Sequence, residues 1–320
     1  MSTTSFQDNR VPEWAGFFNR EEYSFFMKCV SDYFAGDDIT FSITEGAILS
    51  SGGNRGRSEK MGLLNLAQFC RLQPPDQWGN MIDDHFDGIR KAASFEKEFS
   101  VRAHNFDCVR DTIGVRLYPE EYVAAIKTGL TLGKRMADGL FAMLVFDFPE
   151  SIVNIRPEQS IQWPLANDEL FKLGIHNTKQ KYSLNLFEQD VDGVPLHFVV
   201  ENHFYAPNIL FSFLEEKPAL ENKGMLIGLP NRHTALMHRI TDSKVLKAVH
   251  RMIPAIYGMN KEGPGSVSDK LYWLYGGEII TLPYTLDTEN IHFDPPENFI
   301  GLLQEMEGNA GYSMAEGKEN

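Results

Sequence analysis

Residues Tyr182–Tyr205 read YSLNLFEQDVDGVPLHFVVENHFY, and this stretch decides how the fold is read. Two runs rich in aromatic and β-branched residues flank Asp192-Gly193, a pair that accepts the left-handed backbone of a tight hairpin turn. The spacing predicts two antiparallel strands. Upstream, Asp138–Pro149 (DGLFAMLVFDFP) is apolar without alternation, as a strand covered on both faces is, and SIVNI (151–155) reads as its neighbour. Downstream, GMLIGLP (224–230), TALMHRI (234–240) and KLYWLYGGEIITLPY (270–284) add further strands, the last two of them around Gly276-Gly277.

Helical periodicity lies between and before these runs. In NREEYSFFMKCVSDYFAGD (19–37), Tyr23, Phe26, Met27, Val30, Tyr33 and Phe34 recur at three- and four-residue spacing. Asn19 is its expected N-cap, Glu22 completes a capping box, and Gly36 supplies the stop. ITFSIT (39–44) alternates like a half-buried strand, SEKMGLLNLAQFCRLQ (58–73) reads as a helix, and another helix falls within 78–100. Later helices are expected near 168–177, started by Asn167 or Asp168, near 207–216, opened by Pro207, and near 242–258, bent or shortened by Pro254. The expectation is an α+β fold: a mixed, largely antiparallel sheet flanked by helices over 111–290, a smaller N-terminal α/β portion over 1–110, and a frayed tail over 291–320.

Composition bounds the function. The 320 residues are 42% hydrophobic, enough for a substantial core, and carry 44 acids against 30 bases for a net charge of −14. An acidic surface repels phosphate backbones and anionic lipid, which argues against general nucleic-acid or membrane binding, although a local basic groove is compatible with it. Cys29, Cys70 and Cys108 show no C-x-x-C spacing and read as small buried hydrophobes in a reducing compartment. The N-terminus lacks a basic segment followed by an apolar core, and no run reaches the roughly 20 apolar residues of a membrane helix. A cytoplasmic protein is expected.

Chemistry-bearing residues are few. Asp147, at the end of the apolar strand, is placed where a metal ligand or base would be, but Asp before Phe-Pro more simply opens a turn. Within HFVVENH (197–203), strand alternation would put His197, Val199, Glu201 and His203 on one face, and Glu201 and His203 are the pair close enough to meet. A solvated polar face is the plainer reading. Arg55 and Arg57 in SSGGNRGR (50–57) would suit an anion, but the Gly-Lys-Ser/Thr ending of a Walker loop is missing and a connector fits as well. Arg232 and His233, in the PNRH turn, are candidates for an anionic ligand. Aromatics on both faces of LYWLY are most often core, but on a strand near a sheet edge Tyr272, Trp273 and Tyr275, with Glu278 beyond the glycine turn, are candidates for holding a protein partner. No metal-ligand set and no cofactor motif is legible, so neither metal nor cofactor is expected.

The order of several pieces, LVFDFP, WPLANDEL, LGIHN, LIGLPNR and SDKLYW, resembles the YtpQ family, bacterial proteins defined only as a domain of unknown function. The resemblance spans roughly 113–275. It implies an α+β domain and brings no activity, cofactor or catalytic residue. Thr178 departs from it where an apolar residue is expected, and His233 where an acid is expected. Three functions fit these readings. One is a non-enzymatic recognition or regulatory module with a protein partner, expected to be basic. The others are a hydrolase or phosphate-ester enzyme using Asp147, Glu201, His203 and Arg232, and an immunity-type inhibitor of a basic toxin.

Overall fold

The computed structural model describes residues 10–35, 40–44, 46–51, 59–126, 130–149, 151–215, 223–287 and 290–316. The chain forms two compact units, Met1–Val101 with Glu262–Pro264, and Arg102–Lys261 with Gly265–Asn320. Every strand pair among the described residues is antiparallel, and helices flank the sheets: an α+β fold. No described helix is long and apolar enough to cross a membrane.

The first unit holds α1 (Arg20–Phe34), β1 (Thr40–Thr44), β2 (Ala47–Ser51), β3 (Glu59–Gly62), α2 (Leu64–Arg71) and α3 (Trp78–Arg102). Asn19 caps α1 as expected, accepting from the Glu22 amide at 2.9 Å while the Glu22 carboxylate accepts from the Asn19 amide. Gly36 and Ile39 lie outside the described residues. The stretch expected as one helix over 58–73 is instead a strand followed by a helix, because Glu59–Gly62 pairs with β2. Phe26, Val30, Leu66, Trp78, Ile82 and Phe86 form the core of this unit.

The second unit continues with α4 (Phe106–Val109), β4 (Ile113–Pro119), α5 (Glu120–Ala125), β5 (Gly133–Ala137), β6 (Leu140–Asp147), β7 (Ile152–Asn154), α6 (Pro157–Ser160) and α7 (Asn167–Lys181). β6 is central, paired with β4, β5 and β7. The N-cap of α7 is Ala166, one residue before the expected Asn167. Its amide donates to the Glu169 carboxylate, so the cap comes from Glu169 reaching back rather than from a capping side chain. Next come β8 (Leu186–Val191), β9 (Val194–Val200), α8 (Ile209–Glu215), β10 (Met225–Asn231), β11 (Thr234–Arg239) and α9 (Val245–Glu262). The hairpin turn is as read: Asp192 and Gly193 both have positive φ, 55° and 80°. Pro254 neither ends nor shortens α9, which runs on to Glu262.

β12 (Leu271–Tyr275), β13 (Glu278–Leu282), β14 (Tyr284–Leu286), β15 (Ile291–Phe293) and α10 (Glu297–Glu316) complete the chain. A six-stranded sheet runs β13-β12-β10-β11-β9-β8, so β12 is interior and β8 forms one end. Helix α10 lies within the stretch expected to fray. Phe299 and Leu302 enter the same core as Leu236, Ile253 and Trp273, and that burial fixes the helix where its periodicity is weak.

This sheet order corrects the partner-binding expectation. Tyr272 and Trp273 are 0% and 1% exposed and are closed in by the chain itself. The Trp273 indole donates to the Lys223 carbonyl at 2.9 Å, and its ring meets Phe299 edge-on. Gly224 makes this approach possible: with φ at +78°, a Cβ there would stand 2.2 Å from the Leu274 carbonyl oxygen. Tyr275 and Glu278 remain exposed. Trp273→Ala should accordingly cost about 3–5 kcal/mol in urea unfolding, against under about 1 kcal/mol for Tyr275→Ala. Equal midpoints for the two variants would contradict the burial of Trp273.

Candidate functional site

Asp147 does not act mainly as a turn-opener. Its carboxylate, side chain 5% exposed, accepts from Lys181 Nζ at 2.6 Å, Tyr182 Oη at 2.9 Å and Tyr205 Oη at 2.7 Å. The turn after it is closed by backbone, Phe148 N–H donating to the Ser151 carbonyl. The donors come from the end of α7 and from the segment after β9, so the carboxylate ties two distant stretches to β6. Tyr182 and Tyr205 stack at 4.3 Å, and the His203 ring packs 4.9 Å from Tyr182. Burial, then the Asp147 charge, holds the Tyr205 hydroxyl well above the ordinary tyrosine value, and the Tyr182 pKa is raised by burial and by its hydrogen bond to Asp147. For Lys181, burial alone works downward. The bonds to Asp147 and Tyr182 outweigh it, and the pKa ends raised.

Glu201 and His203 do meet, at 3.8 Å, but not by strand alternation, because β9 ends at Val200. Glu201 Oε1 accepts from the amide and the side chain of Asn185, at 2.7 and 3.0 Å. His203 Nδ1 accepts from the Tyr205 amide at 3.3 Å, while Nε2 lies 3.1 Å from the Ser183 carbonyl, which fits the neutral tautomer with its proton on Nε2. All three catalytic candidates are thus engaged in holding chain segments together. Among the described residues, no three His, Cys, Asp or Glu side chains are grouped so as to hold a metal ion.

A different cluster gathers around Arg232 and His233. Arg232 sits in the turn between β10 and β11, its amide donating to the Gly265 carbonyl at 3.0 Å. Gly265 has φ of +70°, and a Cβ there would lie 2.6 Å from Arg232 Cδ, so the arginine stem runs across a bare backbone. The His233 amide donates to Asn231 Oδ1, and its Nδ1 stands 2.9 Å from the Glu201 carbonyl. Facing them is Arg116, paired with Met143 in the β4–β6 ladder and only 5% exposed. The Arg116 guanidinium lies 5.4 Å from the Tyr118 ring centre and 5.1 Å from that of Phe204, and the Arg232 guanidinium lies 5.6 Å from Tyr118.

Among the described residues, no carboxylate pairs with either of these two cations. Nε and Nη2 of Arg116 and Nε of Arg232 are buried and bond to no described residue. Burial first, then repulsion from Arg116, lowers the Arg232 pKa to about 10, and no carboxylate counts among the groups that act on it. Burial likewise lowers the His233 pKa, with both arginines adding to the effect. An uncompensated buried charge costs on the order of several kcal/mol. Facing rings return about 0.5–2 kcal/mol each, less than that cost.

Arg232 and His233, candidates for an anionic ligand in the sequence, lie beside the buried Arg116. Arg55 and Arg57 lie outside the described residues. Sequence reading missed Arg116, although an arginine inside the apolar strand IGVRLYP was a visible signal, since a charge in a buried run is seldom idle. It also missed Lys181, Tyr182 and Tyr205. Their partner is 34, 35 and 58 residues away, and no local spacing reports that.

Groups whose pKa is raised by folding stabilise fully below the unfolded value and lose that contribution as pH rises through the folded one. For Tyr182, Tyr205 and Lys181 that window opens near pH 10. The urea midpoint should hold between pH 7 and 9 and fall above about pH 10, with a shallower fall in Tyr205→Phe. Asp147→Asn should cost about 2–3 kcal/mol at pH 7, discounted because the Lys181 side chain is 42% exposed and can turn to water. An Asp147→Asn protein as stable as the wild type would return Asp147 to a simple turn role.

Comparison with protein-family models, with curated proteins and with solved structures finds no match to this chain.

Proposed function

We propose that this chain is a non-catalytic recognition module whose binding groups are Arg116 and Arg232, and whose ligand presents an anionic group. One observation carries the reading: three buried guanidinium nitrogens without a partner among the described residues, on two cations that repel each other. Buried polar groups are nearly always hydrogen-bonded, and removing water from them strengthens whatever charge eventually meets them. The reading keeps the expectation of a recognition protein but reverses the charge of what is recognised. A basic partner docking on Tyr272 and Trp273 loses its support, because both rings are buried. The enzyme reading is weakened in turn, since Asp147, Glu201 and His203 spend their polar atoms within the chain. An immunity-type role rests on the acidic surface alone.

Thermal unfolding against a panel of small anions at constant ionic strength tests this. A ligand at 100 times its Kd adds about 2.7 kcal/mol, enough to raise the midpoint by several degrees. Arg116→Met should abolish the response and, by removing a buried unpaired charge, leave the unliganded protein as stable or more so. A variant that is less stable yet keeps the full anion response would refute the assignment.

A further inference from the structure

We infer that the anion held by Arg116 and Arg232 is the dianionic phosphoryl group of a phosphomonoester on a flat apolar body. This inference rests on the anion-recognition reading above. Donor geometry is the first argument. Nε and Nη2 lie on one edge of a guanidinium and present two parallel N–H groups, the fork that matches two oxygens of a phosphate or carboxylate. Both of those atoms of Arg116 lack partners, and Nε of Arg232 adds a third donor. A phosphomonoester offers three terminal oxygens to three donors; a carboxylate offers two.

Charge is the second argument. Two guanidinium cations converge on the Tyr118 ring. A phosphomonoester carries about −1.5 to −2 at neutral pH and nearly neutralises the pair, whereas a carboxylate leaves one charge buried and unmatched. A polyanion is disfavoured for a different reason. The chain as a whole carries −14, so each further phosphate outside the site meets repulsion. An isolated phosphoryl group suffers this least.

The rim supplies the rest of the ligand. Tyr122, 41% exposed, stacks on Tyr118 at 5.2 Å and 12°, and Phe204, 40% exposed, lies over Arg116 and meets His233 edge-on. Two solvent-facing aromatic rings beside a buried cation pair suit a planar apolar body, which stacks on them while its charged end goes inward.

Calorimetric titration at pH 7.5 with phenyl phosphate, methyl phenyl phosphate and benzoate separates the alternatives, because the bodies match and only the charged group changes. Phenyl phosphate should bind at least about tenfold more tightly than the monoanionic diester or benzoate. Arg116→Lys, which keeps the charge and loses the fork, should weaken phenyl phosphate by about tenfold or more. Phe204→Ala, which removes one of the two stacking rings, should weaken phenyl phosphate several-fold. His233→Glu places a carboxylate beside both arginines and should abolish binding of all three probes; it also loses the Nδ1 bond to the Glu201 carbonyl, so a cooperative thermal transition is checked first, and the test stays decisive if the Arg116 variant does not fold. A phosphotyrosine tripeptide distinguishes carriers: tighter binding than phenyl phosphate assigns the group to a peptide, equal or weaker binding to a free small ester, and either result retains the phosphoryl group. Benzoate or the diester binding as tightly as phenyl phosphate would overturn the phosphoryl assignment and leave anion recognition standing. Failure of every probe to bind would overturn both.

Discussion

One carboxylate, that of Asp147, sets the geometry on which the rest of the second unit's polar layer depends. It closes β6, receives the end of α7 through Lys181 and Tyr182, and receives the chain after β9 through Tyr205. Hydrogen bonds to a charged acceptor are about twice as strong as neutral ones, and here they converge where little water competes. Tyr205 is the neighbour of Phe204 and lies two residues from His203. Fixing its hydroxyl therefore fixes the turn that lays Phe204 over Arg116. The segment is pinned from its other side as well, where Asn208 Nδ2 donates to the Val115 carbonyl at 2.8 Å.

The same layer holds charges of opposite kind in opposite states. Asp147 is compensated by a lysine and two hydroxyls, while among the described residues Arg116 and Arg232 meet aromatic faces and no carboxylate. Tyr205 feels both: Asp147 raises its pKa and Arg116 lowers it. A fold of ordinary stability has only about 5–15 kcal/mol in hand, so an uncompensated cation pair is a large fraction of the whole.

Local rules were legible where the physics is local. Asn19 with Glu22, and Asp192 with Gly193, act over three residues or fewer, and both motifs form as read. Trp273 was misread because alternation along LYWLY says which residues share a face, not whether both faces are covered. What packs on the faces decides that: α9 and α10 cover Trp273, and the Tyr272 hydroxyl meets Ser268 and the Asp138 carbonyl. Glu201 and His203 were placed in contact for a mistaken reason, since the strand stops before them. The site itself was half legible. Its turn residues Arg232 and His233 stood out by position, and the buried Arg116 waited on knowing that β4 lies inside.

β8 ends the six-stranded sheet, and among the described residues no strand pairs with its outer edge. Leu186 and Phe187 are exposed there at 47% each, a combination that invites edge-to-edge growth between copies. Glu188 and Asp190 follow immediately in the same strand, and both are exposed. Their like charge sets two such edges against each other, so the acidic composition that marks the whole chain acts here as a guard against fibrous aggregation.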